Sequence, residues 1–405
     1  MASSQQPFAD RDQTMELYGR HVSRAKVELF RSFGLDLVLG AREGARLSDA
    51  FSDRTWFNCH CNGGVFNLGH RHPRIVAALR DALDSLDIGN HHLVSGYRAA
   101  LAARLAATTA GKLPLAVFGV SGGEAVDLAI KVARGATGRP TIVSAKGGYH
   151  GHTGLAMAAG DPQYRDLFGP NLPGFVQVPF DDLFALERAL DDRTAALLLE
   201  PVPATLGMPI ARRGYFAGAQ SLCRERGVKL ILDEVQTGLG RTGRTWCFQH
   251  DRLAPDVVVC GKGLSGGLYP ITATLMTEEL HRTLEASPFA HISTFGGAEL
   301  GCVTALAVLD IIEEPGFLER VTSVSDRLAE GFSSLPFAVR RRGLMMGFKL
   351  SAEGAGVMAA TRLFKAGVFA VWANNDTSVV QFLPPLTLTD EEVGELIERV
   401  RKAFQ

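Results

Sequence analysis

The chain has 405 residues and sets 42 Lys plus Arg against 43 Asp plus Glu, a formal net charge of −1. That length allows one large and one small domain around a substantial core. The near-neutral balance removes the electrostatic case for nucleic acid or an anionic membrane as partner.

The N-terminal stretch MASSQQPFADRDQTMELYGR carries acids and lacks the apolar segment of a signal peptide. No apolar run approaches the ~20 residues that span a bilayer, so a soluble, cytoplasmic protein is expected. Six cysteines spread over the chain do not make a disulfide scaffold. Cys59-His60-Cys61, His70-x-His72 and His150-x-His152 are local groupings with no second pair at a structural-zinc spacing, and no metal is assigned.

From about residue 70 helical patterns alternate with short apolar runs. Residues 71–87 place Ile75, Leu79, Leu83 and Leu86 near helical spacing. A strand is predicted at 115–120 and a helix at 122–134, then buried strands at 141–144, 175–178, 196–200, 229–234 and 256–260, with a helix at 214–227. Alternation of this kind predicts an α/β layer on a mostly parallel sheet. ITATLM, 271–276, reads as a further strand. Helical patterns at 298–313 and 317–334, strand-like GFKL and VFAV, and a final helix from 390 predict a smaller α+β unit.

Chemistry concentrates at strand ends, where open α/β sheets bind ligands. Ser121-Gly122-Gly123 stands between a strand and a helix, and serves equally as a plain helix cap or as a phosphate cradle. Tyr149 follows the strand at 141–144 and offers a flat ring, or is an ordinary loop tyrosine. Glu200, Asp233 and Lys262 each end an apolar run. Gly261-x-Gly263-x-x-Gly266 has the spacing of a dinucleotide fingerprint, but that motif needs a helix after its glycines. Gly266, Gly267 and Pro270 oppose one, so the loop is read as joining two strands. A lone Gly-Lys-Gly is an exposed loop lysine. Joined to a phosphate cradle and a carboxylate, it is a desolvated amine able to form a Schiff base with an aldehyde, and the set describes a site for pyridoxal 5′-phosphate (PLP).

FNLGHRHPRIVAAL, SGGEAVDLAIKVAR, YHGHTG, EPV, LILDEVQTGLGRTG, CGKGLSGGLYP, STFGGAELGC, RRRGLMMGFKL and FLPPLTLTDEE follow one another in a way that resembles the class III (ornithine, acetylornithine and ω-amino acid) aminotransferases of PLP fold type I. The resemblance implies a large PLP-binding domain over 71–305, with a smaller domain built from 1–70 and 306–405. It implies that Lys262 carries the internal aldimine and shuttles a proton, and that Asp233 pairs with the pyridinium nitrogen. Val235 would pack behind the ring, Gln236 would meet the phenolic oxygen, and Tyr149 would cover the ring face. Ser121, Gly122 and Gly123 would hold the phosphate. Thr294 would reach the same phosphate from a partner subunit, which implies a homodimer.

The departures from the family pattern lie on the substrate side. Gln381 stands in VVQFLPPL where many relatives have a carboxylate-binding arginine, and a neutral amide offers no charged bidentate fork. Glu200, which pairs with that arginine in such relatives, is left to meet a cationic or hydroxylic substrate group or another arginine. His152 replaces another usual arginine. Aminotransfer between an amino acid or amine and an acceptor is expected. Racemisation, a 1,2-amino shift and elimination or substitution at Cβ or Cγ start from the same chemistry and stay open, as does non-catalytic PLP binding.

Overall fold

The computed structural model describes residues 7–405; the first six residues of the N-terminal stretch considered above lie outside them. Strands β1 (Leu39–Glu43), β2 (Arg46–Asp49) and β3 (Thr55–Asn58) pair antiparallel in sequence order. The central sheet is built from β4 (Leu115–Gly119), β5 (Thr141–Ala145), β6 (Phe175–Val178), β7 (Thr194–Leu199), β8 (Lys229–Asp233), β9 (Val257–Cys260) and β10 (Thr272–Met276). Its order is β4-β10-β9-β8-β7-β5-β6. The run from β9 to β6 is parallel throughout, and β10 lies antiparallel to both its neighbours.

Every residue of β7, β9 and β10 is buried, which is why these strands read as unbroken apolar runs. Alternate side chains serve two cores. Ala196, Leu198, Ile231 and Val259 pack with the helix Gly122–Thr137 on one face. Leu197, Leu199, Leu230, Leu232 and Val258 pack with Leu101, Leu105, Tyr215 and Cys302 on the other. The helix Gly122–Thr137 starts where Ser121 Oγ accepts the Glu124 N–H at 3.2 Å, and ends at left-handed Gly138. After β9 the backbone makes one 3₁₀ turn, Lys262–Ser265, before entering β10. No helix follows the glycines, so the dinucleotide fingerprint fails structurally as it does in the sequence.

The C-terminal part contains β11 (Ala338–Arg342), β12 (Met345–Lys349), β13 (Val368–Phe369), β14 (Val371–Ala373) and β15 (Asp376–Phe382). An antiparallel sheet takes the order β11-β12-β15-β14. VFAV, read as one strand, is divided: Val368 and Phe369 pair in parallel with β3, while Val371 belongs to β14 and pairs with β15. The chain changes sheets at Ala370 because the backbone groups on either side of it find partners in different layers. Among the described residues no helix is long and apolar enough to cross a membrane.

A single side chain ties the N-terminal and C-terminal segments to the loop after β8. Arg241 is fully buried. Its guanidinium donates to Asn67 Oδ1 at 2.6 and 3.2 Å, to the Leu344 carbonyl at 3.1 Å and to the Pro384 carbonyl at 2.6 Å. Burial pulls its pKa down to about 10, still far above neutrality, so it remains a cation. Arg241→Met keeps much of the volume but strands three buried acceptors. It should lower unfolding stability by on the order of 3 kcal/mol or more, read from urea denaturation. A loss below about 1 kcal/mol would refute the clamp.

Candidate active site

A cavity of about 630 Å³ opens at the carboxyl ends of the central strands. Its walls come from the segments after β4 (Ser121, Gly122, Gly123), β5 (Tyr149, His150, His152, Thr153), β7 (Glu200), β8 (Asp233, Val235, Gln236) and β9 (Lys262), with Asn62 from the N-terminal part. Nine of the eleven site residues expected from sequence therefore line one space. Thr294 and Gln381 are absent from the lining. Thr294 sits on an exposed loop. Gln381 is buried in β15 between Gly347 and Val371, and its amide lies 3.4 Å from the Trp372 carbonyl.

Asp233 is held at both oxygens: Oδ1 accepts the Val235 N–H at 3.1 Å, and Oδ2 lies 2.9 Å from His150 Nδ1. The carboxylate partner assigns the proton to Nδ1. Burial alone would depress the His150 pKa, but the hydrogen bond to Asp233 and the charges of Asp233 and Glu200 carry it above the ordinary value. Sequence reasoning noticed His150 only as half of a metal-like pair. Its position directly after Tyr149, in the loop leaving β5 of the same sheet that carries Asp233, was the available signal.

Glu200 is 8% exposed and Oε1 accepts the Tyr149 N–H at 2.9 Å. Among the described residues it forms no ion pair with lysine or arginine. Burial pushes its pKa up to about 7, with His150 and Lys262 opposing and Asp233 reinforcing the rise. The adjacent-strand Glu234 is also raised to about 7 by burial, but it is a structural acid. Its oxygens accept the Cys247 and Phe248 N–H groups, each at 2.7 Å, and the Thr237 hydroxyl at 3.0 Å.

Lys262 takes a left-handed φ of 41° directly after β9. Burial lowers its pKa, while Asp233 and Glu200 act against the shift. Gly63, at φ 68°, faces it: a Cβ there would lie 3.2 Å from Lys262 Cε and 3.7 Å from Nζ. Tyr149 is half-buried and packs edge-on against His152 and Tyr164, with ring centroids 5.3 and 5.2 Å away.

These groups fit a flat aldehyde cofactor with a phosphate arm. The N–H groups of Gly122 and Gly123 open a helix and find no acceptor among the described residues. The Cβ that Gly123 lacks would stand 2.7 Å from Thr153 Oγ1, a buried hydroxyl that itself has no partner. That orphan donor, unforeseen from sequence, faces the same cradle. Val235 lies behind Gly122, where a Cβ would come within 3.3 Å of its Cγ1. The cradle, the Asp233 carboxylate and the Lys262 amine thus border one cavity.

The family profile described as "Aminotransferase class-III" matches residues 35–404. An uncharacterised aminotransferase of Archaeoglobus fulgidus is 51% identical over 397 residues, covering 96% of this chain and 93% of that protein. The ornithine aminotransferase of Toxoplasma gondii is similar in structure, with a TM-score of 0.88 at 26% identity, covering 98% of this chain and 96% of that one. A second structure of that enzyme, crystallised with oxidized glutathione and described with partial PLP occupancy at its active site, gives 0.86 at 26% identity, covering 98% of each chain.

The raised Glu200 pKa makes a prediction for stability. Between its ordinary value of 4.5 and about 7, folded Glu200 keeps a proton that the unfolded chain has lost. Raising pH through that window therefore costs stability, and the whole penalty is present above about 7. Denaturation of the cofactor-free Glu200→Gln variant should show a flatter decline than wild type. The difference should be roughly 1.4 kcal/mol for each pH unit over which the two states differ by a full proton. Parallel wild-type and variant profiles would remove the shift.

Proposed function

The chain belongs to the class-III aminotransferases, a family of PLP-dependent transferases, and from that premise we propose that it moves an amino group from an amino acid or amine to a carbonyl acceptor, with Lys262 holding and serving the cofactor. The observation that carries this reading is the half-buried lysine just past the end of β9, in the cavity that also holds Asp233 and the glycine cradle. When bound, PLP supplies a carbonyl that captures amino groups and a ring that stabilises charge left on the substrate carbon.

The protein's own groups divide the remaining tasks. Ser121, Gly122 and Gly123, with Thr153, offer hydrogen-bond donors to the phosphate. Asp233, oriented by His150 and the Val235 N–H, meets the ring nitrogen and keeps a proton there. Val235 and Tyr149 take opposite faces of the ring, and Gln236 takes its phenolic oxygen. Lys262, with its pKa lowered by burial, attaches the cofactor and, once free, moves the proton at the reacting carbon.

The working unit is a homodimer on this reading. Thr294 lies on an exposed loop and does not line the cavity of its own chain. Phe289, Ile292 and Phe295 around it are 65%, 49% and 57% exposed, an apolar patch suited to a second copy. From that copy Thr294 reaches the phosphate.

Two measurements test the proposal. Borohydride reduction of the holoenzyme, followed by peptide mass analysis, should fix the cofactor on the peptide containing Lys262. Lys262→Ala should keep the wild-type circular dichroism spectrum and lose that adduct. An adduct on another residue would overturn the assignment. Incubation with ¹⁵N-labelled donors and unlabelled carbonyl acceptors should place the label on the acceptor product. Label retained on the donor skeleton or released as ammonia would mean racemisation, a shift or elimination instead, and no turnover by fully loaded protein would mean a binding function.

A further inference from the structure

The loop that carries Tyr149 and His150 is held in place from another part of the fold. It reads Gly147-Gly148-Tyr149-His150-Gly151, and a stretch so rich in glycine fixes no backbone conformation by itself. Its shape comes from partners. The Gly147 N–H donates to Asp161 Oδ2 at 3.0 Å, and the Gly148 carbonyl accepts the Asp161 N–H at 3.2 Å. The Gly147 carbonyl accepts the Thr205 hydroxyl, from the loop after β7, at 2.9 Å.

A further donor arrives from the C-terminal sheet. Asn374 and Asn375 form the turn between β14 and β15. Asn375 Nδ2 donates to the same Gly147 carbonyl at 2.8 Å, and the Asn375 N–H donates to the Thr205 carbonyl at 2.8 Å. A carbonyl can only accept, which identifies the amide nitrogen as the atom facing it. Asn375 Oδ1 is buried and meets no donor among the described residues, so the side chain forgoes one hydrogen bond in making the other. The turn itself is seated firmly on the loop after β7. Arg340, from β11, donates to the Gly207 carbonyl at 2.8 Å, and Lys349 pairs with Asp376 at 3.0 Å. A Cβ on Gly207 would stand 2.9 Å from Asp376 Oδ2.

The groups that follow Gly147 face the cofactor site. The Tyr149 N–H reaches Glu200 Oε1 at 2.9 Å, and the next imidazole meets Asp233 Oδ2 at 2.9 Å. Contacts of that length weaken steeply when the backbone carrying them shifts. Asn375 does not line the cavity, so any effect it has on the site travels through this loop.

We propose that Asn375 is a positioning residue for the cofactor site: its amide fixes the Gly147 carbonyl from the C-terminal sheet and so holds His150 against Asp233. This rests on the reading above in which Asp233 meets the ring nitrogen.

The test uses Asn375→Ala, which removes the donor and the unpartnered oxygen together and leaves Gly147 its Thr205 hydroxyl. Unfolding in urea should stay close to wild type. In the cofactor-free protein, hydrogen exchange at the 147–151 amides should quicken by about fivefold, the effect of one neutral hydrogen bond, with β8 unchanged. The PLP dissociation constant, from titration of the cofactor-free protein, should rise by about the same factor. It should rise less than about twofold when Asn375→Ala is added to His150→Asn, because the two residues act in series. Asn375→Ser, too short to reach Gly147, supplies the same readings where the alanine variant fails to fold. Exchange that quickens only in β12 and β15, or equal losses of affinity in both backgrounds, would overturn this inference and leave Asp233 and His150 in their roles. Unchanged PLP affinity in His150→Asn alone would overturn that reading of the site, and this inference with it.

Discussion

The arrangement depends on shielding one ammonium group from water. Lys262 sits at the end of a strand whose every residue is buried, so its charge is disfavoured by its surroundings and only partly restored by Asp233 and Glu200. A central strand buried on both faces can place such a group at its tip because the strand itself needs nothing from solvent. The carboxyl end of a parallel sheet is also where neighbouring strands release their loops. Asp233, Glu200 and the 146–153 loop converge on the lysine without any long excursion of the backbone.

The same low-dielectric setting sorts two neighbouring acids into different uses. Glu200 and Glu234 are both pushed up to about 7 by burial. Glu234 is surrounded by two backbone donors and a hydroxyl, and it pins the turn at 246–251. Glu200 has one donor and faces the cavity. Burial raises both, and the number of protein donors decides which acid still has capacity for a ligand.

The central layer was legible because fully covered strands advertise themselves. ALLL, LIL and VVVC are apolar at every position, and the polar residue ending each run marks the loop end facing the site. Exposed or half-covered elements were harder. AVRRR forms β11 although three of its five residues are arginines, since its side chains are only partly buried and its identity comes from pairing with β12. VFAV changes sheets in mid-run, a decision made by distant partners rather than by local preference. In the site, charged and glycine-marked residues stood out, whereas Thr153 and the His150–Asp233 contact depend on how loops fold back on each other. Gln381 was correctly noted as neutral, but its place outside the lining follows from β15 pairing, which local sequence does not encode.

The Arg241 clamp has a consequence for motion. A planar guanidinium fixes several acceptor directions together, so Asn67, Leu344 and Pro384 cannot separate one at a time without stranding a buried charge. Breathing along that seam is therefore all-or-none and rare. Amide protons near the seam should exchange with solvent as one cooperative block, while the loops at the cavity mouth exchange independently of it.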